Sequence, residues 1–300
     1  MNARHPRSAR PVDRESAGRS GVRDEPADGV LTERSARIVA AHKLLRRARR
    51  AEAGEFLAEG APAVAEAIGA EAESPGTVLE FYVTETAGTR HPELARQAFA
   101  AGITVTQVTD RAAAALTDAV TPQGLVVRCA LPTTTVSDLL ATGPKLLAVL
   151  VRTSDPGNTG TVIRLADAAG ADGVIVAGEA ADPVNPKAIR ASAGSLFHLP
   201  VVTAPDAADL VAQLGAAGLS VLASTGYTDL ELDQADRDGI LDLPTAWLFG
   251  SEAHGLPPSL IEAADERIRI PIYGRAESLN LAAAAAICLY ASAAAQRRAG

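Results

Sequence analysis

From Leu31 onward, apolar positions recurring every three to four residues alternate with short apolar runs, which marks helices interleaved with strands. The pattern predicts a helix-like stretch over 31–50, helices over 61–69, 92–101 and 111–116, and strands over 78–83, 103–108 and 125–130. Together these make a small α/β unit, residues 31–130. Residues 131–145 hold Pro132, a run of three threonines (133–135), Gly143 and Pro144, the make-up of a linker, with room for one helical turn over 136–140. The second half, 146–300, opens with a continuous apolar run over 146–151, as expected of a parallel strand covered on both faces. Further strands are predicted over 173–176, 219–224, 245–249 and 267–271, with a last helix over 278–296. Alternating strands and helices predict an α/β fold with a mostly parallel sheet, whose ligand crevice lies beyond the carboxyl ends of its strands.

Composition adds a tail. Residues 1–30 are rich in Arg, Ser, Asp, Glu, Pro and Gly and nearly lack large apolar side chains, so they are expected to be disordered. The net charge of −8 argues against a nucleic-acid partner until the chain is divided. Residues 1–50 hold 13 Lys+Arg against 6 Asp+Glu, a net +7, which leaves −15 on the rest. Arg46, Arg47, Arg49 and Arg50 cluster at the end of the first predicted helix, where they can meet RNA phosphates; from charge alone a solvated helix end reads equally well. Cys129 and Cys288 match no zinc, redox or disulfide spacing and read as buried thiols. No apolar run of membrane-spanning length and no secretory signal is present, so a cytoplasmic location without membrane attachment is expected.

Three turns at strand ends carry the candidate chemistry. The first, Asp155-Pro156-Gly157-Asn158-Thr159-Gly160, leads into a helix bearing Arg164; it lacks the Gly-Lys-[Ser/Thr] of a phosphate loop and the G-x-G-x-x-G of a dinucleotide fold. Arg164 is expected within the first two helical turns, near whatever anion the helix start attracts. The second turn, Gly250-Ser251-Glu252-Ala253-His254-Gly255-Leu256-Pro257, follows a strand that contains Leu248. Its glycines allow a ligand close to the backbone, and Glu252 is the expected partner of a cation such as Arg164. His254, a lone histidine in a Gly-rich loop, is not assigned as a general base. The third turn runs from Ile270 through Tyr273-Gly274-Arg275-Ala276-Glu277-Ser278-Leu279-Asn280 into an Ala-rich helix that Ser278 is positioned to cap. Ser278 and Asn280 read equally well as capping and turn residues alone.

In this order, Asn158-x-Gly160-x-x-x-Arg164, Gly250-Ser251-Glu252-x-x-Gly255 and Ile270-Pro271-x-x-Gly274-x-x-Glu277-Ser278-Leu279-Asn280 closely resemble the three motifs of the SpoU/TrmH family. Phe56-Leu57-Ala58-Glu59-Gly60 and Thr121-Pro122-Gln123-Gly124 also look like the start and end of that family's ribosomal-protein-like substrate-binding domain. The resemblance implies a deep trefoil knot, S-adenosylmethionine as methyl donor and no metal, a homodimer whose second subunit completes the site, and RNA as substrate. It maps cofactor binding onto Leu248, Gly250, Gly255, Ile270 and Leu279, largely through main-chain groups, and substrate chemistry onto Arg164, Asn158, Glu252, Ser278 and Asn280. A guanidinium is a poor base, so Arg164 is expected to orient the ribose 2′-hydroxyl and stabilise charge. Ribosomal RNA is the preferred substrate because a substrate domain precedes the catalytic one. Transfer RNA methylation and a non-catalytic RNA-binding role are the alternatives. A nucleotide-dependent oxidoreductase or Rossmann methyltransferase would want a glycine-rich first loop that is missing.

Overall fold

The computed structural model describes residues 29–299. The expected disordered tail lies, but for Gly29 and Val30, outside the described residues. Two sheets organise the rest. Strands β1 (Glu55–Glu59), β2 (Val78–Val83), β3 (Val105–Gln107) and β4 (Leu125–Ala130) form a sheet in the order β1-β4-β2-β3. Strands β5 (Leu146–Val151), β6 (Gly173–Ala177), β7 (Val201–Ala204), β8 (Ser220–Ser224), β9 (Thr245–Phe249) and β10 (Glu266–Ile268) form a second sheet in the order β10-β8-β9-β5-β6-β7. Every pairing in the second sheet is parallel. β5 and β9 lie in its middle and are buried at every position, which is why they read as unbroken apolar runs. The chain leaves β5 toward β6 and β7, then crosses to the other side for β8, β9 and β10. A crevice therefore opens where β5 and β9 adjoin.

The predicted stretch over 31–50 is not one helix. It divides into Ala36–His42, a 3-10 turn Lys43–Leu45 and a separate helix Arg47–Ala53, with Arg46 extended between them (φ −98, ψ 128). The arginines thus open a helix rather than close one, and the macrodipole opposes them there. Arg50 is a correction too. It is 2% exposed, lies 2.6 Å from Asp182 and donates to the Leu44 and Leu45 carbonyls at 2.8 and 3.0 Å. Buried and fully engaged, it is a structural cation and not a phosphate contact.

Asp182 belongs to the second half of the chain, and the segment 180–198 supplies most of the polar contacts that dock the two sheets' domains. Arg190 reaches Asp118 at 2.5 Å and Glu59 at 3.6 Å. His198 lies between Asp167 (2.8 Å) and Glu66 (3.0 Å), and Phe197 stacks on Phe56 with ring centroids 6.2 Å apart. Glu59 also accepts from the Thr117 hydroxyl and from the Gln123 main chain, so the two sequence segments that begin and end the small domain meet. Both cysteines are buried, and burial pushes the Cys288 thiol up to about 12.

Candidate functional site

All three motif turns emerge at the carboxyl end of the parallel sheet. After β5, Asp155 caps the helix Pro156–Ala169 by accepting from the Gly157 main chain at 3.1 Å. Lys187, 2.5 Å away, holds the Asp155 carboxyl below its ordinary range, with the Gly157 hydrogen bond adding to the effect. Gly160 has a packing role. A methyl there would stand 2.1 Å from the Ala188 carbonyl oxygen and 2.8 Å from the Ala191 methyl, because the helix Pro186–Ser192 crosses at that point.

After β9 the chain folds back on itself. The Gly255 amide donates to the Ser251 carbonyl at 2.8 Å, and a methyl on Gly250 would lie 2.2 Å from the Leu256 nitrogen. Only glycine permits this closure. Leu248 lies deeper than expected: it pairs with β5 and β8 and is fully buried, so it forms the floor beneath the loop rather than its surface.

After β10, residues 270–280 cross from the sheet edge back to the β5 turn. Among the described residues, the main chain of 270–279 makes no hydrogen bond, which leaves a run of unclaimed main-chain polar groups leading to Asn280. That donor set fits a cofactor read largely through main-chain groups. Asn280, and not Ser278, caps the helix Leu281–Ala299, accepting from the Ala282 and Ala283 amides at 2.8 and 3.3 Å. Ser278 is exposed.

Asn158, Glu252 and Asn280 come together from three separate turns. The Asn280 amide donates to the Asn158 carbonyl at 3.5 Å, and the Asn158 amide donates to Glu252 Oε1 in a short hydrogen bond. Each end of this relay fixes the orientation of the next group. The Asn280 oxygen is committed to the helix cap, so its NH2 faces Asn158, whose own NH2 must then face an acceptor-only carboxylate. Among the described residues Glu252 Oε2 accepts no hydrogen bond, and the side chain is exposed.

Arg164 is not brought to this cluster. It is the ninth residue of its helix, in the third turn and not the first two. Six residues from Asn158 place it about 9 Å along the axis and about 120° around it. It is exposed, and Glu252 pairs with Asn158 instead of Arg164. His254 is exposed, and only its main-chain amide is engaged, donating to the Ser251 hydroxyl at 3.3 Å. Arg46, Arg47 and Arg49 are exposed; Arg47 also donates to the Ala180 carbonyl at 3.3 Å, and Arg49 pairs with Glu52 at 2.5 Å. Sequence reasoning missed Lys187 on Asp155, strands β1 and β7, and the 180–198 docking segment. None has a local signature, since each is defined by a partner distant in sequence.

Residues 145–290 match the SpoU rRNA methylase family, and residues 35–127 match the MRM3-like substrate binding domain. The chain is 36% identical over 251 residues to the 23S rRNA (guanosine(2553)-2'-O)-methyltransferase RlmP of Bacillus subtilis, which covers 83% of this chain and 92% of that protein. Among solved structures, the SpoU methyltransferase AviRb of Streptomyces viridochromogenes, in complex with AdoMet, is 31% identical with a TM-score of 0.74, covering 89% of this chain and 100% of that one. An AdoMet-bound rRNA methyltransferase from Sinorhizobium meliloti is 30% identical with a TM-score of 0.73, covering 88% and 97%.

Proposed function

The chain belongs to the SpoU methylase family, and from that premise we propose that it methylates a ribose 2′-hydroxyl of 23S ribosomal RNA with S-adenosylmethionine. The observation that carries this reading is the meeting of Asn158, Glu252 and Asn280 from three turns at one end of the parallel sheet. When bound, the cofactor supplies a methyl carbon already activated by its sulfonium charge, so the protein's work is at the acceptor oxygen. Gly250, Gly255, Ile270 and Leu279 would hold the cofactor through main-chain groups, above the floor that Leu248 provides. Glu252 Oε2 is positioned to accept from the ribose hydroxyl, with Asn158 and Asn280 fixing the carboxylate's angle and Ser278 bordering the same crevice. Arg164 orients the ribose and stabilises charge.

The homodimer expected of the family belongs to this reading. Ile287 and Tyr290 of the C-terminal helix are 40% and 48% exposed, and the Tyr290 hydroxyl donates to the Ala168 carbonyl at 3.2 Å. Ala168 lies one helical turn beyond Arg164, so Arg164 borders that apolar strip. A second copy packed there would bring Arg164 to its crevice. The trefoil knot is supported by the path of 270–280 across the strand ends. Among the described residues no helix is long and apolar enough to cross a membrane, and the proposed site of action is the cytoplasm. Arg46, Arg47 and Arg49 are the proposed phosphate contacts of the small domain.

The test is transfer of radiolabelled methyl to separated, unmodified 23S, 16S and transfer RNA, followed by digestion to nucleosides. Label in a 2′-O-methylnucleoside from 23S RNA is the expected result. Label confined to transfer RNA, or no label with cofactor binding intact, overturns the proposal.

A further inference from the structure

Two cavities of about 730 and 590 Å³ sit side by side at the carboxyl ends of β5, β6 and β7. The first is walled by Arg47, Ser154 and Thr203, the second by Arg152, Asp206 and Pro257. They share Gly178, Glu179 and Pro205, so they form one trough. Asn158, Glu252 and Asn280 do not line it. It adjoins their crevice at Ser154, four residues before Asn158, and at Pro257, just past the second motif.

We propose that this trough seats the single-stranded RNA flanking the methylated nucleotide, with Arg152 and Arg47 each holding a phosphodiester. The proposal rests on the RNA-methylating reading above and adds a second binding site to it. Arg152 carries the argument furthest. It follows β5 directly, and its amide continues the ladder to the Ala177 carbonyl at 3.0 Å. It then turns with φ +51, a left-handed conformation rare for a residue with a long side chain. The side chain runs across Gly178, where an added methyl would meet Arg152 Cγ at 3.3 Å. Among the described residues its guanidinium makes no hydrogen bond or ion pair, so none of them repays the strained backbone.

Arg47 enters from the small domain and is steadied by the Ala180 carbonyl two residues beyond Gly178. The trough is thus lined by cations from both domains. Of its two carboxylates, Asp206 is committed to capping the helix Ala207–Ala216, accepting from the Ala208 amide at 2.8 Å. Glu179 is exposed on the shared wall and opposes the two arginines. Guanidinium pairs above a main-chain floor suit phosphates spaced along a strand, and give affinity without base selection.

The test is filter binding of a 23S rRNA transcript over a range of KCl to the full chain and to Arg152→Gln, Arg152→Gly, Arg47→Gln and Glu179→Gln. Each arginine variant is expected to weaken binding on the order of tenfold and to reduce the log–log salt slope by about 0.7. Glu179→Gln is expected to bind more tightly. Cofactor affinity should be unchanged throughout. Arg152→Gly separates contact from scaffold, because relief of the backbone should hold or raise its melting temperature while RNA affinity falls. Wild-type affinity and slope in the arginine variants, with the wild type methylating the transcript, overturns the trough and leaves the enzyme reading standing. A wild type that neither binds nor methylates any RNA overturns both.

Discussion

Gly157 and Gly160, three residues apart in one turn, should respond unequally to the same substitution, one near neutral and the other destabilised. In an isolated helix Gly160→Ala would gain about 1 kcal/mol from helix propensity. Here the new methyl would stand 2.1 Å from the Ala188 carbonyl oxygen and 2.8 Å from both the Ala188 carbonyl carbon and the Ala191 methyl. Those atoms are a helix backbone and a methyl fixed to it, so no rotamer change relieves the contact. The helix Pro186–Ser192 must retreat on the order of 1 Å, which carries Lys187 off Asp155 and Arg190 off Asp118. Overpacking of this kind costs up to about 3 kcal/mol, which leaves a net loss of about 2 kcal/mol. For a domain this size that is about 4–8 °C in melting temperature. At Gly157 the same methyl would meet Lys187 Cε at 3.0 Å, the far end of a side chain that can swing aside, so Gly157→Ala should stay within about 0.5 kcal/mol of wild type. Differential scanning calorimetry of the three proteins in one buffer decides it. A Gly160→Ala variant melting at or above wild type refutes the reasoning.

Arg164→Ala is expected to reduce methyl transfer by at least about a hundredfold while cofactor affinity, read by calorimetry, stays at wild type; wild-type turnover removes Arg164 from the chemistry. Arg50→Met leaves Asp182, 12% exposed, without its cation and should cost about 3 kcal/mol, with the RNA salt slope unchanged. Replacing Arg46, Arg47 and Arg49 together by Gln should flatten that slope with little change in melting temperature, so the two variants separate scaffold from RNA contact. The His198 imidazole has its protonation range raised by Asp167 and then by Glu66. Its contribution to domain docking is therefore complete below the unfolded value of about 6.5 and lost as pH rises through the folded one. Hydrogen exchange in the helix Ala61–Glu73 should quicken as pH rises above the unfolded value of about 6.5, beyond its intrinsic rate, and His198→Gln should abolish that excess. An excess that persists in the variant places its origin elsewhere.

The strands that read most clearly in the sequence were those whose signal is intrinsic. Residues 78–83, 125–130, 146–151 and 245–249 appear as strands with the predicted ends, because continuous or alternating apolar runs between turn residues state their burial directly. The three motif turns were legible for a similar reason, since Gly250 allows a close backbone approach and Asn280 is a helix-capping side chain. The division of 31–50 was hidden: its apolar positions suit one helix as well as two, and the break at Arg46 serves to put Arg50 under Asp182, 132 residues away.

The sequence alone determined the α/β class, the strands flanking the crevice and the residue types at the site, because periodicity, turn chemistry and motif order are local properties. Tertiary structure alone decided that Asn158 meets Glu252 and Asn280 while Arg164 does not, and that Arg50 is scaffold. It also decided that Gly160 answers to a crossing helix and that Arg152 and Arg47 face one trough. Each of these depends on which distant segment arrives opposite a residue, and that is set by how the whole chain satisfies burial and pairing at once.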